Sequence, residues 1–182
     1  MSDNEKKQVA IIYFSLTGHC ERMANDLANS IPSFVLRVHE NKDRSGLKGY
    51  ISSFGESFFN SDNSQHLIKD GLSDMDRYKA FIFVGPVWSW DLCAPLKTAC
   101  KEIIKTIIKS KEEQHVFLAL SYKFRKNIGD KKTFENFQKI FKGKAVVHEN
   151  YLACHETDYA NGLCKEKVDD FVKEVNNVCG KK

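Results

Sequence analysis

A short polar stretch with hydroxyl, imidazole and thiol groups follows the first apolar run of the chain. The run at residues 9–14, VAIIYF, is rich in β-branched and aromatic residues, which predicts a strand buried on both faces of a sheet. The stretch at 15–20, SLTGHC, then leads into apolar residues at helical spacing. Free backbone N–H groups at a helix start attract anions, and the hydroxyls of Ser15 and Thr17 add donors. The candidate anion-binding residues are Ser15, Thr17, Gly18, His19 and Cys20.

The absence of lysine from this loop restricts the anion that it suits. A P-loop for nucleoside triphosphates carries a lysine, so the stretch favours a single terminal phosphate instead. Two alternatives stay open from the residues alone. The loop is either an anion site or a polar helix cap without a ligand, and His19 either donates to a phosphate or caps the helix.

A second candidate region follows the apolar run at residues 80–84. It reads GPVWSWDLCAP over 85–95, and Pro95 suits the first turn of the next helix. Two tryptophans so close together predict contact with a flat apolar ligand, unless both rings are buried in the core. Asp91 is interpreted as solvated, and the lysines at 97, 101, 105 and 109 as a solvated helix face. The candidate ring-binding residues are Pro86, Val87, Trp88, Ser89 and Trp90.

A third candidate region follows the apolar run at residues 116–120. Tyr122 and Lys123 come first, and Phe124, Arg125 and Lys126 continue a cationic stretch. Tyr122 and Lys123 are candidate binding residues because the run before them predicts another strand of the same sheet. Three loops with ligand-type side chains therefore follow three predicted strands.

The order of the predicted elements favours one α/β domain over residues 1–182. Strands that alternate with helices form a parallel sheet covered on both faces, which is a three-layer, doubly wound architecture. Residues 1–7 are expected to form a flexible N-terminus, 50–58 a short helix, and 41–77 is the hardest segment to interpret. The five predicted strands are 9–14, 33–38, 80–84, 116–120 and 144–154, the last interrupted or extended at 148–150; the four main helices are 20–31, 95–108, 132–141 and 161–178.

These residues resemble the flavodoxin-like family. Its members carry a Ser/Thr-x-Thr-Gly-x-Thr loop around the phosphate of FMN, and here Cys20 stands where the last threonine is usual. A Gly-x-Pro-(Val/Ile)-aromatic loop lines the isoalloxazine ring in the family, and 85–88 resembles that layout without the residue between glycine and proline. The third loop matches less well, since its first glycine is Gly129. The resemblance implies non-covalently bound FMN and a five-stranded sheet in the order 2-1-3-4-5, which brings the three loops together.

The resemblance leaves three functions open. The first is an FMN-binding redox protein that passes electrons to a partner protein. The second is a reductase that takes electrons from NAD(P)H and passes them to a quinone or similar small acceptor, and cations at Lys123, Arg125 and Lys126 would favour it by attracting phosphates and raising the flavin potential. The third is a binding module of this fold without a cofactor.

Composition argues against several other classes of protein. A net charge of +4 with dispersed lysines does not indicate a nucleic-acid protein. The six cysteines form no C-x-x-C pair, so we expect neither a metal site nor a disulfide framework. The cysteines are expected to be free thiols in the core or at the surface. No apolar run suits a secretory signal or a membrane span, so a cytoplasmic location is expected.

Overall fold

Strand β1 (Val9–Tyr13) is an inner strand of the main sheet and is buried along its whole length. The protein is described by a computed structural model over residues 8–40, 67–68, 75–110, 112–125 and 129–180. The expectations for the N-terminus at 1–7 and for a helix at 50–58 lie outside these residues. The other strands are β2 (Ser33–Arg37), β3 (His39–Glu40), β4 (Leu67–Ile68), β5 (Ala80–Trp88), β6 (Asp91–Leu92), β7 (His115–Tyr122), β8 (Val146–Val147) and β9 (Leu152–His155).

The main sheet is parallel and has the predicted strand order. β1 lies between β2 and β5, and β5 pairs with β7. The fifth position is shared by β8 and β9, which both pair with β7 in parallel. This confirms the order 2-1-3-4-5, and of the two forms left open for the last strand the structure has the interrupted one. The antiparallel pair of β3 with β4 is an addition that the sequence pattern did not predict.

Helices cover both faces of the sheet because alternate residues of each strand point to opposite sides. Ile11 of β1 packs on one side with residues of α1 and α5, and Ile12 packs on the other with residues of α2 and α3. Apolar residues at helical spacing supply each helix with one buried stripe. The helices are α1 (His19–Ser30), α2 (Ala94–Ile107), α3 (Asp130–Phe141), α4 (Glu156–Ala160) and α5 (Lys165–Gly180), and Met75–Arg77 forms one 3₁₀ turn.

Two predicted boundaries were wrong. The last helix begins at Lys165 and not near residue 161, because a separate short helix, α4, precedes it and turns at 161–164 follow α4. The third strand does not end at residue 84. It continues to Trp88, since its backbone pairs with β7 as far as Pro86 and with β6 beyond that.

The edge of the sheet at the start of β7 contains a chain of polar side chains. Nδ1 of His115 lies 3.2 Å from Nε2 of His148, and Nδ1 of His148 lies 2.9 Å from a carboxylate oxygen of Glu174. The His148 ring stacks on Phe117, with 4.1 Å between the ring centroids. Burial and the neighbouring His148 lower the pKa of His115, against a smaller opposite effect of Glu113.

The lowered pKa of His115 predicts a pH-dependent stability. Between the folded and unfolded pKa values the unfolded chain binds more protons on this ring, so stability rises with pH in that window and falls on acidification below about 6.5. His115→Gln is expected to flatten this part of the curve of unfolding free energy against pH. Urea unfolding at pH 5.5 and 7.5 measures the unfolding free energy of the native protein and of His115→Gln. Equal pH dependence in the two proteins would contradict the prediction.

Candidate functional site

The three candidate loops meet at one edge of the sheet. β1, β5 and β7 are neighbours and run in parallel, so their carboxyl ends lie side by side. The loop at 15–18 follows β1, a turn follows β5, and residues 123–125 follow β7. Ligands of open α/β sheets bind at such an edge, where the chain direction of the crossovers reverses.

The loop after β1 has the backbone shape of an anion cradle. The buried Ser15 hydroxyl accepts a hydrogen bond from the N–H of Gly18 at 3.0 Å. Gly18 precedes α1 with a φ of +88°, a conformation that favours glycine, and it has no side chain to cap the first turn. Thr17 is exposed beside it. The first N–H groups of α1 and the Thr17 hydroxyl are therefore available for a small anion.

His19 and Cys20 have different surroundings although they are adjacent. Nε2 of His19 lies 3.4 Å from a carboxylate oxygen of Glu156, and the imidazole is partly exposed beside the loop. Cys20 is buried in the core between the sheet and α1. Burial raises the pKa of its thiol to about 12, with a smaller opposing hydrogen bond to Ser121. Its side chain is thus protonated and inward-facing, and a contact of Cys20 with an anion stays a prediction.

The region after β5 is a hairpin rather than a loop. Val87 pairs with Leu92 and Trp88 with Asp91, which leaves Ser89 and Trp90 as a two-residue turn. Their φ values of 49° and 60° match the turn type that suits hairpins but usually requires Asn or Gly. Side chains in this conformation cost about 1–3 kcal/mol each, and such strain concentrates at ligand sites.

The two tryptophans do not share one environment. Trp88 is partly buried at the end of β5 and meets the Phe14 ring edge-on, with 5.7 Å between the centroids. Trp90 lies at the tip of the hairpin and is 49% exposed. Leu16, 47% exposed, and Phe124, 63% exposed, follow the neighbouring strands. This edge therefore presents apolar surface in each of its three loops, which suits a flat aromatic ligand.

Gly129 holds the hairpin from the side of α3. It directly precedes α3 with a φ of +70°. A Cβ atom at this position would lie 2.8 Å from the Trp90 Cα and closer still to its ring. Only glycine therefore allows the turn to lie against the start of α3.

A buried ion pair fastens the hairpin to α2. Nζ of Lys97 lies 2.5 Å from Oδ2 of Asp91, and the side chains are 8% and 16% exposed. The interpretation of Asp91 as solvated was therefore wrong, and Lys97 does not belong to a solvated face. The sequence spacing misled because Lys97 lies in the first turn of α2, directly under the hairpin.

The short helix α4 ties the first loop to the third. Nε2 of His155 bonds to the carbonyl of Lys123 at 2.8 Å. The Arg125 guanidinium forms two hydrogen bonds with the Asp158 carboxylate, at 2.7 and 2.9 Å. Tyr122 is partly buried beside His155, and burial raises the pKa of its hydroxyl. Lys123 is exposed, and the predicted cation Lys126 lies outside the described residues.

Carboxylates accompany the cations of this edge. Arg37, at the end of β2, lies 3.4 Å from Glu21 and 3.5 Å from the Ser15 carbonyl. Arg125 is paired with Asp158, and His19 faces Glu156. The electrostatic attraction for an anion in the first loop therefore comes chiefly from backbone and hydroxyl groups.

Several residues of this edge escaped the sequence analysis. Glu156 and Asp158 are far from the loops in sequence, and no local pattern marks them. Gly129 carried a signal, since a glycine just before a helix often has a positive φ. Arg37 carried a weaker one, because it ends the strand next to β1.

The described part of the chain contains neither a candidate metal cluster nor a helix that could span a membrane. Among those residues, no group of three or more His, Cys, Asp or Glu side chains is arranged to hold a metal ion. No helix among them has the length and apolar character to cross a membrane. All six cysteines are free thiols and five of them are buried, which confirms their prediction as core or surface thiols.

No protein-family model matches the sequence, and no curated protein sequence matches it. Solved structures do match. A Lactobacillus acidophilus flavoprotein in complex with FMN is 17% identical, with a TM-score of 0.62 over 85% of this chain and 97% of that one. A Fusobacterium nucleatum flavodoxin bound to FMN is 11% identical, with a TM-score of 0.54 over 93% and 96%. An archaeal flavodoxin is 12% identical, with a TM-score of 0.53 over 92% and 98%. With its strand order and its loops at one sheet edge, the chain has the flavodoxin-like fold.

Proposed function

We propose that this protein binds one FMN non-covalently and transfers electrons through it. The observation that carries the proposal is the combination, at one sheet edge, of an anion cradle after β1 with exposed apolar side chains after β1, β5 and β7. FMN has the matching parts, a terminal phosphate and a flat ring. Two structural neighbours, from Lactobacillus acidophilus and Fusobacterium nucleatum, are complexes with FMN, which supports the same choice.

The residues of the first loop fit a phosphate monoester. Thr17 and the first N–H groups of α1 would donate hydrogen bonds, and His19 would add a donor from the first position of the helix. Hydrogen bonds to a charged partner contribute about 1.5–3 kcal/mol each, so a few such donors replace the missing lysine.

The residues of the hairpin and third loop fit the ring. Trp90 would cover one face of it, Trp88 and Tyr122 would border it, and these apolar groups would exclude water. FMN, when bound, supplies one- and two-electron redox chemistry, and the protein holds and orients it. Fit of the chain's own residues to both parts favours a cofactor-binding protein over a module of this fold without a cofactor.

A carrier that exchanges electrons with a partner protein is the form that we propose. The alternative, an NAD(P)H-dependent reductase of quinones or similar acceptors, was based on three cations after β7. Pairing of Arg125 with Asp158 compensates one of these charges. No other observation favours the reductase.

An absorption spectrum and a redox titration test the proposal. Purified protein reconstituted with FMN is expected to retain the flavin through gel filtration and to show a shifted flavin spectrum. Failure to retain FMN would overturn the proposal. An assay of NADH and NADPH oxidation with a quinone acceptor then separates the two forms, since steady turnover would identify the reductase.

Thr17→Ala is expected to weaken FMN binding far more than riboflavin binding. Loss of one hydrogen bond to a charged phosphate corresponds to about 1.5–3 kcal/mol, roughly a ten- to 150-fold change in the dissociation constant. Quenching of flavin fluorescence on titration with protein measures both ligands. Ser30→Ala, at the far end of α1, is the matched control. Equal losses for FMN and riboflavin would place the phosphate elsewhere.

A further inference from the structure

We propose that the buried ion pair of Asp91 and Lys97 positions Trp90 and thereby sets the affinity for the flavin ring. The inference rests on the proposed function, and it assigns a role to two side chains that lie beneath the hairpin rather than at its surface.

Both members of the pair are held firmly. Oδ2 of Asp91 bonds to Lys97, while Oδ1 accepts a hydrogen bond from the Leu92 backbone N–H at 2.8 Å. The Asp91 carboxylate therefore fixes the start of β6, and Asp91 is the residue that directly follows Trp90. Lys97 is in the first turn of α2, which is packed against the core, so the anchor point itself is rigid.

The turn that this pair holds is strained. Ser89 and Trp90 both have positive φ, and neither is glycine or asparagine. Strained turns persist only where the surroundings over-determine them. Here the ion pair fixes one end, and the contact between Gly129 and Trp90 limits movement toward α3. Trp90 is thus held from two sides while almost half of its surface stays exposed.

Stability alone does not account for such a pair. Apolar residues of similar volume often replace a buried ion pair without loss of stability, because removing two charges from water offsets their attraction. If the pair mainly positions the hairpin, its replacement by apolar residues should change the position of Trp90 more than the free energy of unfolding. Replacing both charges should preserve folding but release the hairpin.

The test uses the double substitution Asp91→Leu with Lys97→Met. It is made in a parent that carries Trp88→Phe, so that Trp90 is the one that remains of the two tryptophans in the sequence. Lys105→Met is the matched control, since it removes a pair with Glu102 on the same helix in which the lysine is 68% exposed. Each protein is compared by urea unfolding, by Trp90 emission and acrylamide quenching without ligand, and by titration with FMN and with riboflavin.

The expected result is an unfolding midpoint close to that of the parent, with an altered Trp90 emission maximum and altered quenching. Affinity for FMN and for riboflavin should fall by the same factor, about tenfold, because ring contact is lost while the phosphate loop is intact. Lys105→Met should change none of these. Unchanged emission and affinity in the folded double variant would overturn the proposal, and so would a loss confined to FMN.

Two further outcomes are covered by separate measurements. If the double variant does not fold, Asp91→Asn tests the same pair: it keeps an oxygen for the Leu92 N–H but removes the charge that binds Lys97. Trp90 emission should then change and both flavin affinities should fall, and unchanged emission and affinities would overturn the proposal. If the native protein binds neither flavin, the proposed function fails. The emission of Trp90 in the ligand-free proteins then still decides whether the pair positions this ring.

Discussion

Replacement of Trp90 by Ala is expected to lower the affinity for FMN and for riboflavin by roughly five- to 150-fold, the equivalent of about 1–3 kcal/mol. The ring is exposed at the tip of the hairpin, so its removal takes away contact with a ligand but little packing inside the protein. The substitution also removes a bulky side chain from a position with a φ of 60°. The unfolding free energy of the Trp90→Ala variant should therefore differ little from that of the native protein.

Flavin fluorescence titrations measure this effect, and urea unfolding provides the accompanying stability. Trp90→Phe is the conservative control and should recover much of the affinity, because a smaller ring can still stack. Ile108→Ala removes an exposed apolar side chain at the end of α2 and should not affect binding. Unchanged flavin affinity in Trp90→Ala would show that the ring does not contact the ligand.

Replacement of Gly129 by Ala is expected to destabilise the protein by about 2–5 kcal/mol. Part of this comes from a side chain at a φ of +70°, which costs about 1–2 kcal/mol, and the rest from overpacking against Trp90. Since the added methyl group displaces the hairpin, affinity for both flavins should fall as well. Urea unfolding and flavin titration measure the two effects.

Gly143→Ala separates the two causes. Gly143 has nearly the same φ, +69°, but an added Cβ would have no atom within 4 Å. It should therefore show only the conformational loss of about 1–2 kcal/mol and no change in flavin affinity. Equal destabilisation of the two variants would mean that the hairpin yields to the added methyl without cost.

The sequence by itself determined the architecture and the position of the polar loop between β1 and α1. The buried strands are continuous apolar runs, and the helices carry apolar residues at their own period, so local pattern and tertiary packing agree. Even the interruption at His148 was visible as a polar break between two apolar segments. The loop before α1 was predictable for the same reason, because Ser15, Thr17 and Gly18 are neighbours along the chain as well as in space.

Only the tertiary structure decided how the segments after β5 and β7 are arranged. Pairing with Ser121 of β7 carries β5 past Val84, which turns an expected loop into a hairpin with Trp90 at its tip. The charge on Lys97 gave no sign of burial, because its partner comes from β6, the strand that precedes the helix. The partners of His19 and Arg125 come from α4, more than 30 residues further along the chain. Such contacts join residues that are distant in sequence. They form because the sheet brings the ends of its strands together, and no local sequence pattern indicates them.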